Sequence, residues 1–266
     1  MPHKKIAIIG GGNLGTAIAE GLIQSGFVMP KHILITKRNI ATLHGLERRG
    51  VLVSDKNEEA VRYADLVMLA VKPFQVQEVL TALKKEFSEE KHVLVSVVTG
   101  ISIDYISGIL GKKFPIVRAM PNTAIAIQES MTCIAAKNTS EEQLQYVQDI
   151  FGQLGKTVNI DEKLMDAATV LGACGTAFAM RYIRANIQGG IEIGFDAATA
   201  SLIAAQTVKG AAELLLKKGA HPEQEIDKVT TPKGCTIAGL NEMEHRGFSS
   251  SLIKGLVASY EKIAKD

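Results

Sequence analysis

The sequence predicts an α/β chain, with a doubly wound, mostly parallel sheet first and an all-helical part after it. Three observations carry the prediction. Short apolar runs alternate with helical patterns as far as residue 160, and such a βαβα order builds a parallel sheet with helices on both faces. A glycine-rich turn, Gly10-Gly11-Gly12-Asn13-Leu14-Gly15, follows the first run. From residue 161 onward no strand pattern is convincing and helical periodicity takes over. Two domains are therefore expected, 1–160 and 161–266.

The elements follow in order. Residues 5–9 read as a continuous apolar strand. The glycine-rich turn opens a helix that runs to Gln24 and closes at Gly26. Residues 32–36 form the second strand. Asn39 caps a helix to Arg49, with Gly50 beyond it. Asn57 caps the helix after the third strand or reaches an adenosine; capping is the simpler reading. Residues 65–71 read as a fully buried strand ending at Lys72-Pro73. Strands at 92–97, 114–119, 131–137 and 156–160 complete the sheet. Helices are then expected at 162–172, 176–193, 196–218, 232–246 and 248–264, with a turn at Gly219-Ala220-His221-Pro222. Residues 197–208 are apolar over much of their circumference, which requires cover on every side. A second subunit would supply it, so a dimer built from these helices is expected.

Composition excludes several classes. In 266 residues, hydrophobic side chains make up 46% and the net charge is +2. That balance does not point to nucleic acid or a membrane surface. Aromatics are 5% with no Trp, so stacking on bases has no support. Cys133, Cys174 and Cys235 form no CxxC pair, and the six His show no metal-ligand spacing. No metal is expected, and three such thiols fit a reducing cytosol. The apolar run at 6–9 stops at Gly10, too short for a signal peptide. The longest uncharged segment, 167–180, falls short of the roughly 18 residues a membrane span needs.

The glycines fit G-x-G-x-x-G directly after a strand and at the start of a helix, the context that makes this pattern a Rossmann-type dinucleotide site. Gly10 allows the tight turn, Gly12 lets the backbone approach a pyrophosphate, and Gly15 permits close helix–strand packing. Asn13 and Leu14 present N–H groups to phosphate. An acid at the end of the second strand would bind a ribose hydroxyl. Thr36, Lys37 and Arg38 stand there instead. Two cations without a carboxylate favour the 2′-phosphate of NADPH, with NADH as the alternative, although these residues also suit a solvated strand end. Ala70, Val71, Lys72 and Pro73 lie at the carboxyl end of a central strand, where such sheets bind ligands. Met120, Pro121 and Asn122 occupy a comparable place near the nicotinamide.

Residues 229–244 suggest a second site. Thr231 reads as an N-cap and Pro232 as the first helical residue. Gly234, Cys235 and Thr236 then fall in the first turn, whose free N–H groups suit a small anion. Thr230, Thr231 and Thr236 add hydroxyls and Lys233 adds charge. A carboxylate beside a hydroxyl donor would fit. Alternatively, Thr236 bonds its own backbone.

These motifs together resemble the Δ1-pyrroline-5-carboxylate reductase family over the whole chain. The resemblance includes the glycine turn, Ala70-Val71-Lys72-Pro73, Arg118-Ala119-Met120-Pro121-Asn122-Thr123, Gln206-Thr207-Val208-Lys209-Gly210-Ala211-Ala212, and 229–244. It implies hydride transfer from NADPH to the C=N carbon of a cyclic imine, giving L-proline. It implies that Thr236 is the donor to the imine nitrogen. Backbone N–H groups of Gly234, Cys235 and Thr236, with the Thr231 hydroxyl, would hold the substrate carboxylate. It also implies a helical dimerisation domain and assembly into larger rings, often decamers. Two segments depart from the family. Its Ser-Pro-Gly-Gly is Thr231-Pro232-Lys233-Gly234 here, and its Ser-Gly-Ser-Gly-Pro-Ala-Tyr is replaced by Leu171-Gly172-Ala173-Cys174-Gly175-Thr176-Ala177-Phe178. Arg181 and Arg184 share a helix face; pairing at the surface or at a subunit interface is simpler than binding an acid. Rival readings are a related NADP-dependent imine or oxo-acid reductase and a non-catalytic NADPH-binding regulator. A hydroxy-acid dehydrogenase would show a catalytic Lys on a long helix, where Arg stands here.

Overall fold

The computed structural model describes residues 4–110 and 113–263. It contains two compact units, one reaching Thr176 and including Ile263, the other spanning Ala177–Lys262.

In the first unit one sheet is formed by β1 (Ile6–Ile9), β2 (Ile33–Thr36), β3 (Leu52–Ser54), β4 (Leu66–Leu69), β5 (Val93–Ser96), β6 (Ile116–Met120), β7 (Ser130–Lys137) and β8 (Gly155–Asn159). Their order is β3-β2-β1-β4-β5-β6-β7-β8. β6 and β7 pair antiparallel and the other neighbours pair parallel. The helices are α1 (Asn13–Gln24), α2 (His44–Glu47), α3 (Asn57–Tyr63), α4 (Val76–Leu83), α5 (Ile103–Leu110), α6 (Glu141–Gly152) and α7 (Met165–Ala168). Ile6 and Ile8 share a core with Ile18, Leu22 and Phe151. Ala7 and Ile9 point the other way, toward Leu80, Ile106 and Phe114. Because both faces are covered, β1 and β4 are apolar at every position.

Several elements differ from the sequence reading. β3 carries no strand pattern in the sequence: it has only three residues, and Leu52 on this outer strand is 40% exposed. The helix expected after Asn39 is a 3-10 turn (Ile40–Leu43) followed by α2. Asn39 does cap it, accepting from Ala41 N at 3.2 Å. Asn57 does not cap α3: Lys56 holds that position, and Asn57 Oδ1 accepts from the Thr36 hydroxyl at 2.6 Å. The helix expected at 162–172 is a 3-10 turn (Glu162–Leu164), α7, and a π-helical segment, Thr169–Cys174.

The sheet ends at Asn159, yet the next segment stays with this unit. Met165 is fully buried against Met120 and Ala135. Glu162 Oε1 accepts from Ile103 N at 2.6 Å and from the buried Arg118 Nη1 at 3.2 Å. The compact unit therefore continues past 160, where the sequence pattern changes.

The chain continues as α8 (Gly175–Glu192), α9 (Ala197–Lys218), α10 (Pro222–Val229), α11 (Cys235–His245) and α12 (Phe248–Ile263). Ala264, assigned to the last helix from sequence, lies outside the described residues. α10 is new: the Pro222 read as a turn is its first residue, and the His221 ring caps it by accepting from Glu223 N at 3.3 Å. α8 and α9 approach closely, since a Cβ on Gly190 would stand 3.1 Å from Ala200 Cβ. Of α9 only Ala200 and Ala204 are buried, while Leu202 and Leu216 are 72% and 74% exposed. No helix among the described residues is long and apolar enough to cross a membrane.

Candidate active site

The strand order reverses between β1 and β4, and the crevice outside the carboxyl ends of such strands is where doubly wound sheets bind ligands. A cleft of about 1070 Å³ lies there. It gathers every residue named from sequence as cofactor-binding except Gly15: Gly10, Gly12, Asn13 and Leu14 after β1; Thr36, Lys37, Arg38 and Asn57 near β2 and β3; Ala70, Val71, Lys72 and Pro73 after β4; and Met120, Pro121 and Asn122 after β6.

The three fingerprint glycines occupy distinct environments. Gly10 has φ +113° and a Cβ there would sit 2.5 Å from Ala70 O. A Cβ on Gly15 would sit 2.2 Å from Gly10 O, so Gly15 closes the turn from behind and does not face the cleft. A Cβ on Gly12 would meet nothing within 4 Å. Gly12 therefore borders open space at the N-terminus of α1, whose first N–H groups have no helical partner. That cradle fits a pyrophosphate.

Backbone bonds fix the neighbouring loops. Gly11 N donates to Thr36 O at 2.7 Å, and Lys37 N to Ser54 O at 3.1 Å. Lys37 and Arg38 have no ion pair among the described residues. Lys72 precedes a 3-10 turn that Pro73 starts. At the other end, the Asn122 side chain is committed: Oδ1 accepts from Ala124 N at 3.0 Å, and Nδ2 donates to Gly172 O at 3.3 Å. Asn122 thus ties the β6 end to the π-helical segment, whose Ala173 lines the cleft. π-helical turns are frequent at functional sites. The sequence reading missed Val97, Val98 and Thr99 at the end of β5, and Asp55 after β3. The carboxyl-end rule applied to β5 would have found the first three.

A second cavity, about 490 Å³, lies at the amino ends of the strands beside Lys4, Asp65 and Tyr146. Burial, helped by Asp65, pushes the Tyr146 phenol up to about 12. That end of a parallel sheet is not where ligands bind.

The segment read from sequence as an anion site, 229–244, lies in the helical unit, and its local structure differs from that reading. Thr231 is not the N-cap and Pro232 is not helical: Gly234 is the N-cap and α11 begins at Cys235. Residues 231–234 form a turn closed by Gly234 N donating to Thr231 O at 3.0 Å. Thr-Pro serves equally well as the first two residues of a β-turn, which explains the misreading. The Gly234 N–H is therefore occupied. A Cβ on Gly234 would stand 2.5 Å from Thr231 Oγ1 and 3.1 Å from Thr231 O, so a side chain here would have to displace the Thr231 hydroxyl. Thr230 is also occupied, its hydroxyl donating to Ile226 O at 2.8 Å. Lys233 has φ +60°, a backbone region that glycine occupies most easily. Cys235 and Thr236 hold the first positions of α11, where N–H groups have no helical acceptor. The half-buried Thr236 hydroxyl makes no bond to its own backbone, unlike the Ser201 hydroxyl of α9, which donates to Ala197 O at 2.7 Å. Arg181 and Arg184 are exposed.

Similarity to known proteins covers both parts of the chain. Residues 162–266 match the family described as pyrroline-5-carboxylate reductase dimerisation. Residues 5–100 match the family described as NADP oxidoreductase coenzyme F420-dependent. Pyrroline-5-carboxylate reductase 1 of Dictyostelium discoideum is 48% identical over 97% of this chain, which spans 49% of that relative's length. Pyrroline-5-carboxylate reductase 2 of the same organism is 45% identical over 99% of this chain and 93% of its own. The crystal structure of Plasmodium falciparum pyrroline carboxylate reductase with NADP bound has a TM-score of 0.88 at 28% identity, covering 99% of this chain and 98% of that one. Likeness at this level along nearly the full length, through the glycine turn and the 231–236 turn alike, means that the chain belongs to the pyrroline-5-carboxylate reductase family.

Proposed function

We propose that this chain reduces Δ1-pyrroline-5-carboxylate to L-proline with NAD(P)H, the final step of proline synthesis. The observation that carries the proposal is the near full-length similarity to pyrroline-5-carboxylate reductases. The cleft fits the cofactor by its own chemistry: open space at Gly12, bare N–H groups at Asn13 and Leu14, and two unpaired cations at Lys37 and Arg38. Bound NAD(P)H supplies the hydride.

The protein's own residues position and polarise the reactants. Asn13 and Leu14 hold the pyrophosphate. Lys37 and Arg38 hold the 2′-phosphate and favour NADPH over NADH. Met120, Pro121 and Asn122 wall the nicotinamide end. The Cys235 and Thr236 N–H groups, with the Thr231 hydroxyl, hold the substrate carboxylate, and Lys233 adds charge. Gly234 contributes by letting Thr231 approach closely. Thr236 Oγ–H donates a hydrogen bond to the imine nitrogen; the hydride goes to the neighbouring carbon, and the proton that completes the ring amine comes from water, so Thr236 keeps its own.

The helical unit forms a dimer, as the match to a dimerisation family and the exposed Leu202 and Leu216 support, and dimers assemble into larger rings. The three thiols fit a cytoplasmic enzyme.

A substrate panel tests the reaction. NADPH oxidation is followed with Δ1-pyrroline-5-carboxylate, with 1-pyrroline, which lacks the carboxylate, and with an open-chain oxo acid. The carboxylated imine is expected to be turned over best. Preference for the oxo acid would indicate a different reductase, and tight NADPH binding without oxidation of any substrate would indicate a regulator.

A further inference from the structure

We propose that Asp55 reads the base of the bound dinucleotide, accepting a hydrogen bond from the adenine 6-amino group. The inference rests on the assignment of the large cleft to NAD(P)H. It extends that assignment to a residue outside the glycine fingerprint and outside the cationic pair after β2.

The sheet order fixes which part of the cofactor lies where. The pyrophosphate cradle is at the end of β1, and the two cations follow β2, the next strand outward. β3 lies one strand further out, and neighbouring strands are about 4.8 Å apart. A dinucleotide whose phosphates sit over β1 and whose 2′-phosphate sits over β2 carries its adenine over the end of β3. Asp55 follows β3 directly and lines the cleft there.

Local bonds leave that carboxylate available. Ser54 Oγ accepts from Lys56 N at 3.0 Å and donates to Glu59 Oε2 at 2.9 Å. Lys56 Nζ pairs with Glu59 Oε1 at 3.3 Å. Lys56 is thus drawn to Glu59, and Asp55 is exposed with no ion pair among the described residues. Asn57 complements it. Its Oδ1 is occupied by the Thr36 hydroxyl at 2.6 Å, which leaves Nδ2 as a donor at the same end of the cleft. Adenine presents an amino donor at position 6 flanked by acceptor ring nitrogens at 1 and 7. A carboxylate acceptor beside an amide donor matches that edge. Hypoxanthine, with a carbonyl at position 6, would turn an acceptor toward the carboxylate.

Asp55 also bears a negative charge near the 2′-phosphate site. If the side chain faced that phosphate, its removal would strengthen NADPH alone. If it faces the base, NADPH and NADH respond alike, because they share adenine.

Calorimetric titration of the full chain decides between these. The ligands are NADPH, NADH and the hypoxanthine analogue of NADPH, without substrate. The wild-type protein is expected to bind the analogue about 10-fold or more weaker than NADPH, the scale of one charge-assisted hydrogen bond lost. Asp55→Asn is expected to weaken NADPH and NADH by a similar factor, about 3- to 10-fold for a solvent-exposed bond. It should also bring the analogue close to NADPH, since an amide can donate to the hypoxanthine carbonyl. Equal wild-type binding of the two bases would overturn the inference. So would tightening of NADPH but not NADH by Asp55→Asn, or unchanged base discrimination in that variant. Thermal melting confirms that the variant is folded. Gly12→Ala separates the two levels of the argument: undiminished NADPH binding there would sink the cleft assignment, whereas lost binding there with no effect at Asp55 would sink only the base-reading role.

Discussion

Replacing Gly12 by alanine should weaken cofactor binding while leaving the fold intact, the reverse of what Gly10 and Gly15 should do. Gly12 has φ −80° and ψ −170°, a conformation open to any residue, and its Cβ would touch nothing within 4 Å. The loss of an N-cap glycine costs roughly 0.5–1 kcal/mol, and the stiffer unfolded chain returns about 0.4–1 kcal/mol. Stability should therefore stay within about 1 kcal/mol of wild type. The added methyl enters the space where a pyrophosphate meets the Asn13 and Leu14 N–H groups. Losing one charge-assisted hydrogen bond, about 1.5–3 kcal/mol, weakens NADPH about 10- to 150-fold. Gly15→Ala instead drives a methyl to 2.2 Å from Gly10 O, and Gly10→Ala combines φ +113° with a 2.5 Å approach to Ala70 O. Each should destabilise by about 1–3 kcal/mol or more. Calorimetric titration with NADPH and thermal melting measure both quantities. Normal NADPH affinity in a folded Gly12→Ala protein would refute the assignment of this turn.

Other substitutions test separate parts of the account. Lys37→Ala with Arg38→Ala should raise KM for NADPH far more than for NADH; equal effects would remove the 2′-phosphate role. Thr236→Ala should lower kcat/KM for the imine about 10- to 1,000-fold, the range for one polarising donor, with NADPH affinity nearly unchanged and Thr236→Ser milder. Unchanged kinetics would exclude the role. Lys233→Gly relieves a positive φ, so its melting temperature should rise by roughly 2–4 °C, corresponding to about 1 kcal/mol, while KM for the imine rises through the lost charge; a lower melting temperature would show that the Lys side chain stabilises the turn. His92 is buried, with Nδ1 accepting from Ser88 N at 2.9 Å and Nε2 donating to Val61 O at 3.1 Å. Burial, then Lys91, lowers its pKa. Below about pH 6.5 the unfolded chain binds a proton that the native state refuses. This contribution to stability is intact above that pH and falls as pH drops toward the lower folded pKa. Denaturant unfolding between pH 5 and 7.5 should show a slope that His92→Gln reduces; an unchanged slope would rule His92 out as its source.

The parallel sheet was legible because strands covered on both faces are apolar at each position, as β1 and β4 are. The cleft was legible because glycine spacing and strand ends encode it locally. β3 was not, since a three-residue outer strand with an exposed Leu52 carries little pattern. α10 was hidden because Gly219-Ala220-His221-Pro222 signals a turn while Pro222 also suits a first helical residue. The dipeptide Thr231-Pro232 has the same ambiguity between cap and turn, and only the Gly234 N to Thr231 O bond resolves it. The π-helical segment and the bonds of Asn122 depend on tertiary contacts that local sequence does not encode.

The most direct measurement mixes the purified protein with Δ1-pyrroline-5-carboxylate and NADPH and quantifies both NADPH consumed and L-proline formed by chiral analysis. One L-proline is expected for each NADPH oxidised, with sharply slower formation in Thr236→Ala. NADPH that binds but is not consumed, or consumption without L-proline, would contradict it.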